Sequence, residues 1–201
     1  MQVKLNLKTL RELLPFCSKD LNRYICNGIR IIDKKIDDNG KIYRIYEASD
    51  GSIKARVMCE IKQIELKNSL ILLASDIAKI DKKLKVDDVI CDIYLDKNRA
   101  EIHNTIIEII DGIYHATENL LPFSICKPSN YKQIQNYFYI RGNYIKMIEE
   151  FFNGGKLKLG SNFSEINAIM SKPLAKEGKN PPILFLNLIE TYKAVLVIPI
   201  G

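Results

Sequence analysis

SLILLASDIAKIDKKLKVDDVICDIYL, residues 69–95 of a 201-residue chain, is the stretch whose reading decides the fold. Residues 70–73 are an unbroken apolar run of strand length. Ile77, Ile80 and Leu84 then fall on one face of a helix, and residues 89–95 read as a second strand. The same order occurs on either side. In residues 2–32, Leu7, Leu10, Leu13 and Leu14 keep helical spacing before an apolar strand over 24–32. In residues 137–159, an apolar strand over 137–140 precedes Tyr144, Ile145, Ile148, Phe151 and Phe152 at helical spacing. Gly154 and Gly155 stop that helix before a strand over 156–159. Self-similarity at this scale outweighs any single motif as evidence of architecture. A unit so small cannot bury its own apolar face, so copies must pair, and an odd third copy needs a partner from elsewhere.

The chain is long enough for one large domain, or for one domain and part of another. Its apolar fraction of 47% supports a packed core, and 27% charged residues with no eighteen-residue apolar run exclude a membrane-spanning helix. The N-terminus enters an amphipathic helix without the apolar block of a signal peptide, which leads us to expect a cytoplasmic protein. Cys17, Cys26, Cys59, Cys91 and Cys126 are scattered and odd in number, which implies neither a disulfide framework nor a zinc site. The formal net charge is +6. Lys8 and Arg11 sit three apart on the first helix, Lys79, Lys82 and Lys83 follow an i, i+3, i+4 pattern on the second, and Arg141 and Lys146 accompany the third. Such a stripe is either a solvated helix face or, because it recurs, a surface for a polyanion such as nucleic acid.

Between the helices the pattern is that of hairpins. Residues 28–36 and 41–47 flank Asp37-Asp38-Asn39-Gly40, and Ser49-Asp50-Gly51-Ser52 makes the next turn. A long alternating strand is expected over 53–66, followed later by a hairpin across His103-Asn104. Residues 114–131 lack periodicity and contain Pro122 and Pro128, as an interdomain linker would. The apolar run 193–200 suggests a central strand, either packed on both faces or lying beneath a ligand groove.

A catalytic constellation is missing from this pattern. His103 and His115 are the only imidazoles, and neither stands at metal-ligand or triad spacing. There is no phosphate-cradling glycine loop. Asp87 and Asp88 occupy a helix-to-strand turn, where aspartate commonly serves backbone amides. A binding or scaffold role is expected, with no enzymatic activity, no cofactor and no metal.

Four segments carry a resemblance. Arg23-Tyr24-Ile25-Cys26-Asn27-Gly28 is similar to an R-Y-x-x-N-G strand entry, and residues 48–55 (ASDGSIKA) to an A-T-D-G-H-R-L-A turn. Residues 111–122 (DGIYHATENLLP) resemble D-G-x-Y-P-D-x-x-x-L-x-P, and residues 195–200 (VLVIPI) a closing strand of the type I-L-P-V or V-M-P-M. Together and in this order they resemble the bacterial DNA polymerase III β sliding clamp. The sequence departs from that pattern at Ser52-Ile53-Lys54, at His115 in place of proline, and at its end on Gly201.

The resemblance implies an α/β (α+β) clamp-like fold of repeated βαβββ units, with helices on one face of antiparallel sheets. Residues 1–122 would form a complete domain, 123–136 a linker and 137–201 half a domain. It also implies a processivity or recruitment factor on duplex DNA, built as a homodimer or a tetrameric ring, with Lys8, Arg11, Lys79, Lys82, Lys83, Arg141 and Lys146 facing the DNA without regard to its sequence. A groove for clamp-binding peptides of a polymerase or clamp loader would involve Arg23, Cys26, Ser49, Gly51, Ile53, Lys54, His115, Leu120, Val197, Ile198, Pro199 and Ile200. The alternative is a clamp-like decoy or regulator that binds clamp, loader or polymerase without encircling DNA.

Overall fold

The computed structural model describes residues 1–35, 40–82, 84, 86–111, 131–133, 142–153, 167–171, 183–187 and 192–197. Strand β1 (Gln2–Asn6) runs into helix α1 (Leu7–Leu13), where the Asn6 side chain accepts the Thr9 amide at 2.8 Å and caps the helix start. A kinked 3-10 segment, Leu21–Asn27, leads to β2 (Gly28–Lys35), β3 (Ile42–Ser49) and β4 (Ile53–Ile61). The second unit repeats the order: β5 (Leu70–Leu73), α2 (Ala74–Ile77), β6 (Asp88–Tyr94), β7 (Arg99–Ile102) and β8 (Thr105–Glu108). The third has β9 (Tyr131–Gln133), α3 (Gly142–Asn153), β10 (Asn167–Ser171), β11 (Ile183–Asn187) and β12 (Tyr192–Val197). No described helix is long and apolar enough to cross a membrane.

The first two units exchange their opening strands. One antiparallel sheet is ordered β1-β6-β7-β8, and the other runs β5-β2-β3-β4-β12-β11-β10-β9. Between them lies one core, fed by Leu7, Leu10 and Leu13 of α1, by Ile77, and by Ile148, Phe151 and Phe152 of α3. The Phe16 and Phe151 rings meet edge to face, 5.1 Å between centroids. Gly28 sits where the two units touch: a Cβ there would lie 2.6 Å from the Ile71 side chain and 2.9 Å from the Leu72 carbonyl oxygen. The glycine of the R-Y-x-x-N-G stretch is thus required by this close approach.

Several expectations change. The helix expected to carry Ile77, Ile80 and Leu84 closes after one turn, because the Lys79 and Ile80 amides bond only three residues back, to the Asp76 and Ile77 carbonyls. The Arg11 guanidinium takes the Asp81 and Leu84 carbonyls, at 2.7 and 2.9 Å, where a longer helix would need backbone amides. The strand expected over 53–66 ends at Ile61, since buried Asp33 draws the Glu65 and Leu66 amides out of the ladder, each at 2.9 Å. The strand expected over 24–32 begins only at Gly28. Within the stretch read as linker, β9 pairs with β10 in the register Lys132↔Met170. The expected strands 137–140 and 156–159 lie outside the described residues.

Candidate partner groove and DNA-facing surface

The turn between β3 and β4 is built by its own side chains. Asp50 accepts the Ser52 and Ile53 amides at 2.8 and 2.9 Å, and Ser49 Oγ both accepts the Gly51 amide and donates to the Ile53 carbonyl, each at 3.0 Å. Gly51 takes φ +94°, which a side chain resists. Arg23 lies across this turn: its guanidinium donates to the Asp50 carbonyl and occupies the space where a Gly51 Cβ would sit. Cys26 is half-buried nearby; burial raises its thiol pKa, with the Arg23 and Lys54 charges pulling the other way.

Beside the turn runs β12, a central strand as the apolar run 193–200 suggested. The β4–β12 pairing sets Val197 opposite Ile53 and Leu196 opposite Lys54, which brings the end of the last strand to the Ser49–Ile53 turn. Of the groove residues expected from the resemblance, Arg23, Cys26, Ser49, Gly51, Ile53, Lys54 and Val197 therefore converge at one end of the β4–β12 junction. Two of them point away from solvent. The Ile53 side chain is in the main core, and Lys54 belongs to a buried ion cluster. His115, Leu120, Ile198, Pro199 and Ile200 lie outside the described residues.

That ion cluster underlies the groove and is absent from the expectations. Strand register puts Arg30, Glu47 and Arg56 in one row across β2, β3 and β4, with Lys54 3.3 Å from the same carboxylate. Burial alone would raise the Glu47 pKa, but Arg56, Lys54 and Arg30 outweigh it and hold it at about 2. Burial pushes Lys54 down to about 8. The opposite face carries a second buried pair, Arg44 against Asp33 at 2.7 and 2.8 Å. The signal for both was in the sequence: with hairpin turns at 37–40 and 49–52, register alone makes Arg30, Glu47 and Arg56 neighbours, as it does Asp33 and Arg44.

The cations expected to face DNA differ in availability. Lys8 on α1 and Lys82 after α2 are exposed, and Lys146 on α3 is exposed with Glu150 at 3.8 Å. Lys79 pairs with Asp76 at 2.6 Å, and Arg11 is spent on backbone carbonyls. Lys83 and Arg141 lie outside the described residues. Helices α1 and α3 share one face of the eight-stranded sheet, where Lys193 bridges them by reaching Glu12 at 2.5 Å and the Phe151 carbonyl at 3.2 Å. Among the described residues, no group of three or more His, Cys, Asp or Glu side chains is placed to hold a metal ion.

Two units that exchange first strands, and a third that extends their sheet with its helix on the same side, form an arrangement found in solved structures. The β sliding clamp of C. crescentus superposes over 100% of this chain and 66% of its own length, with a TM-score of 0.66 at 11% identity. The fold is that of the bacterial sliding clamp. The Helicobacter pylori β clamp, solved with a DNA ligase peptide, matches 100% of this chain and 65% of its own at TM-score 0.65 and 12% identity. The Bartonella birtlesii DNA polymerase III β subunit, bound to griselimycin, gives 100%, 66%, 0.64 and 15%. The chain thus spans just under two thirds of the length of these clamps. No protein-family model and no curated protein matches the sequence.

Proposed function

We propose that this chain is a clamp-like DNA-associated factor that tethers replication or repair proteins to duplex DNA and acts as a cytoplasmic homo-oligomer without catalysing a reaction. In this reading residues 1–122 form a complete clamp-like domain, 123–136 a connection that adds β9 to the large sheet, and 137–201 half a domain. One observation carries it. The β4–β12 pairing joins two units into a single sheet, with α1 and α3 on one side and the Ser49–Ile53 turn beside Val197. Lysines on the helix side would meet phosphates through water-rich, sequence-independent contacts, and the turn would receive an apolar peptide from a polymerase or clamp loader. Reversal of Lys8, Lys82 and Lys146 together to Glu tests the DNA-facing side. Affinity for a random-sequence duplex should drop by about tenfold or more, with a shallower salt dependence. Unchanged binding would remove that side from the reading.

A second reading has its own support. With α2 only one turn long, Lys79 tied to Asp76 and Arg11 tied to carbonyls, the helix side offers few free cations among the described residues. A clamp-like regulator that binds clamp, loader or polymerase without encircling DNA needs no cationic channel. Capture of such a partner in the absence of DNA, undiminished by the triple reversal, distinguishes it.

A further inference from the structure

The turn beside the groove is locked by its own side chains, so whether Arg23 lies over it is decided by the segment that carries Arg23. That segment, Leu21–Asn27, is not a continuous helix: Arg23 breaks it with φ −105° and ψ 48°. Its first half is fixed within the first unit. Asp20 accepts the Asn22 amide at 2.9 Å through its side chain and the Arg23 amide at 3.0 Å through its carbonyl. Beyond the kink, one backbone bond, Ser18 amide to Cys26 carbonyl at 2.8 Å, is joined by contacts from the second unit. Ile25 packs against Ile71 and Ile110, and the Tyr24 hydroxyl donates to the Glu108 carboxylate of β8 at 2.8 Å. Glu108 is itself anchored, because Asp76 of α2 accepts its backbone amide at 3.0 Å.

We propose that Tyr24 and Glu108 are positioning residues for the partner groove: the second unit, through the end of β8, sets the kink that aims Arg23 across the Ser49–Ile53 turn. Tyr24 adjoins Arg23, so tying its ring at the far end fixes the peptide plane between them, and with it the direction in which Arg23 leaves the chain. The Arg23 guanidinium has two acceptors within reach, the Asp50 carbonyl, which it takes, and the Asp20 carboxylate at 3.8 Å. An exposed ion pair holds so long a side chain only weakly, so the backbone angles at the kink decide between the two. Neither Tyr24 nor Glu108 is among the groove residues expected from the resemblance. The inference rests on the groove reading and deepens it, because it makes a wall of the first unit's groove depend on the second unit.

The test is fluorescence anisotropy of the full chain with a labelled peptide carrying the apolar clamp-binding segment of a polymerase. Arg23→Ala should weaken binding by about tenfold, and Tyr24→Phe and Glu108→Ala by about fivefold each. The double variant Tyr24→Phe, Glu108→Ala should bind no more weakly than either single change, since both delete one contact. Glu108→Gln keeps an acceptor for the hydroxyl and should recover most of the affinity, which a general loosening of the sheet would not produce. Two readouts do not involve the peptide. The Tyr24 pKa lies above the ordinary phenol value, chiefly through the Glu108 hydrogen bond, so its ring-carbon resonance should titrate at lower pH in Glu108→Ala. In arginine-labelled protein, the Arg23 Nη resonances, held apart on the Asp50 carbonyl, should merge in Tyr24→Phe. Circular dichroism verifies that each variant is folded. A wild-type chain that does not bind the peptide removes the groove reading, and the Arg23 resonances then decide the placement by themselves. Arg23 resonances unchanged in Tyr24→Phe, or peptide binding that Arg23→Ala weakens and Tyr24→Phe leaves intact, overturn the inference.

Discussion

The first two units and the third solve the same problem differently. Units one and two swap opening strands, β1 into the sheet of β6-β7-β8 and β5 into the sheet of β2-β3-β4. Each unit's sheet is then completed by a strand of the other, and Gly28 shows how tightly the exchange is packed. Among the described residues the third unit makes no such exchange: β9 pairs with β10, its last strand leans on β4, and its helix puts Phe151 on Phe16 of the first unit. The homo-oligomer proposed above would set the same unit of another chain beside it.

The largest expected effect lies in the exchanged pair. Glu47→Gln leaves Arg30, Lys54 and Arg56 buried around a neutral side chain, which should cost about 3–5 kcal/mol in urea unfolding. The same residue gives a pH signature. Its folded pKa of about 2 lies below the ordinary value near 4.5, so its contribution is complete above about pH 4.5 and is lost as pH falls towards 2. That loss amounts to about 3 kcal/mol and should vanish in the Gln variant.

Next comes the seam between the regions. Phe151→Ala removes a ring packed on both Phe16 and Phe152 and should cost about 3–4 kcal/mol. Hydrogen exchange makes the comparison sharper: amides of β10, β11 and β12 should lose protection while β6 and β7 keep theirs. Equal loss in both sheets would mean that the third unit is no separate entity. A smaller effect is expected at the groove turn. Gly51→Ala meets a φ of +94° and displaces the Arg23 guanidinium, a cost of about 1–2 kcal/mol confined to that turn. Smallest is Asn6→Ala, which deletes the α1 cap for about 1 kcal/mol.

Much of this is legible in the residue types alone. Turn chemistry made the hairpins legible, because Gly40, Gly51 and the His103-Asn104 pair all take positive φ where the sequence puts turns. The repeat and the helix around Ile148 and Phe151 follow from apolar spacing. The strand exchange does not, since a swap between β1 and β5 leaves each strand's own pattern unchanged. The length of α2 misled for a different reason: Lys79, Lys82 and Lys83 keep helical spacing, yet the competitor for the backbone is Arg11, some seventy residues earlier. For the groove, the described parts of three quoted segments, residues 23–28, 48–55 and 195–197, do meet, but the burial of Ile53 and Lys54 depends on which sheet face each occupies in the folded register.

An odd number of units is what favours a homo-oligomer, and native mass spectrometry of the intact chain at micromolar concentration tests that state most directly. A homodimer built through the C-terminal unit is predicted as the smallest abundant species. A strict monomer across that range would contradict the account.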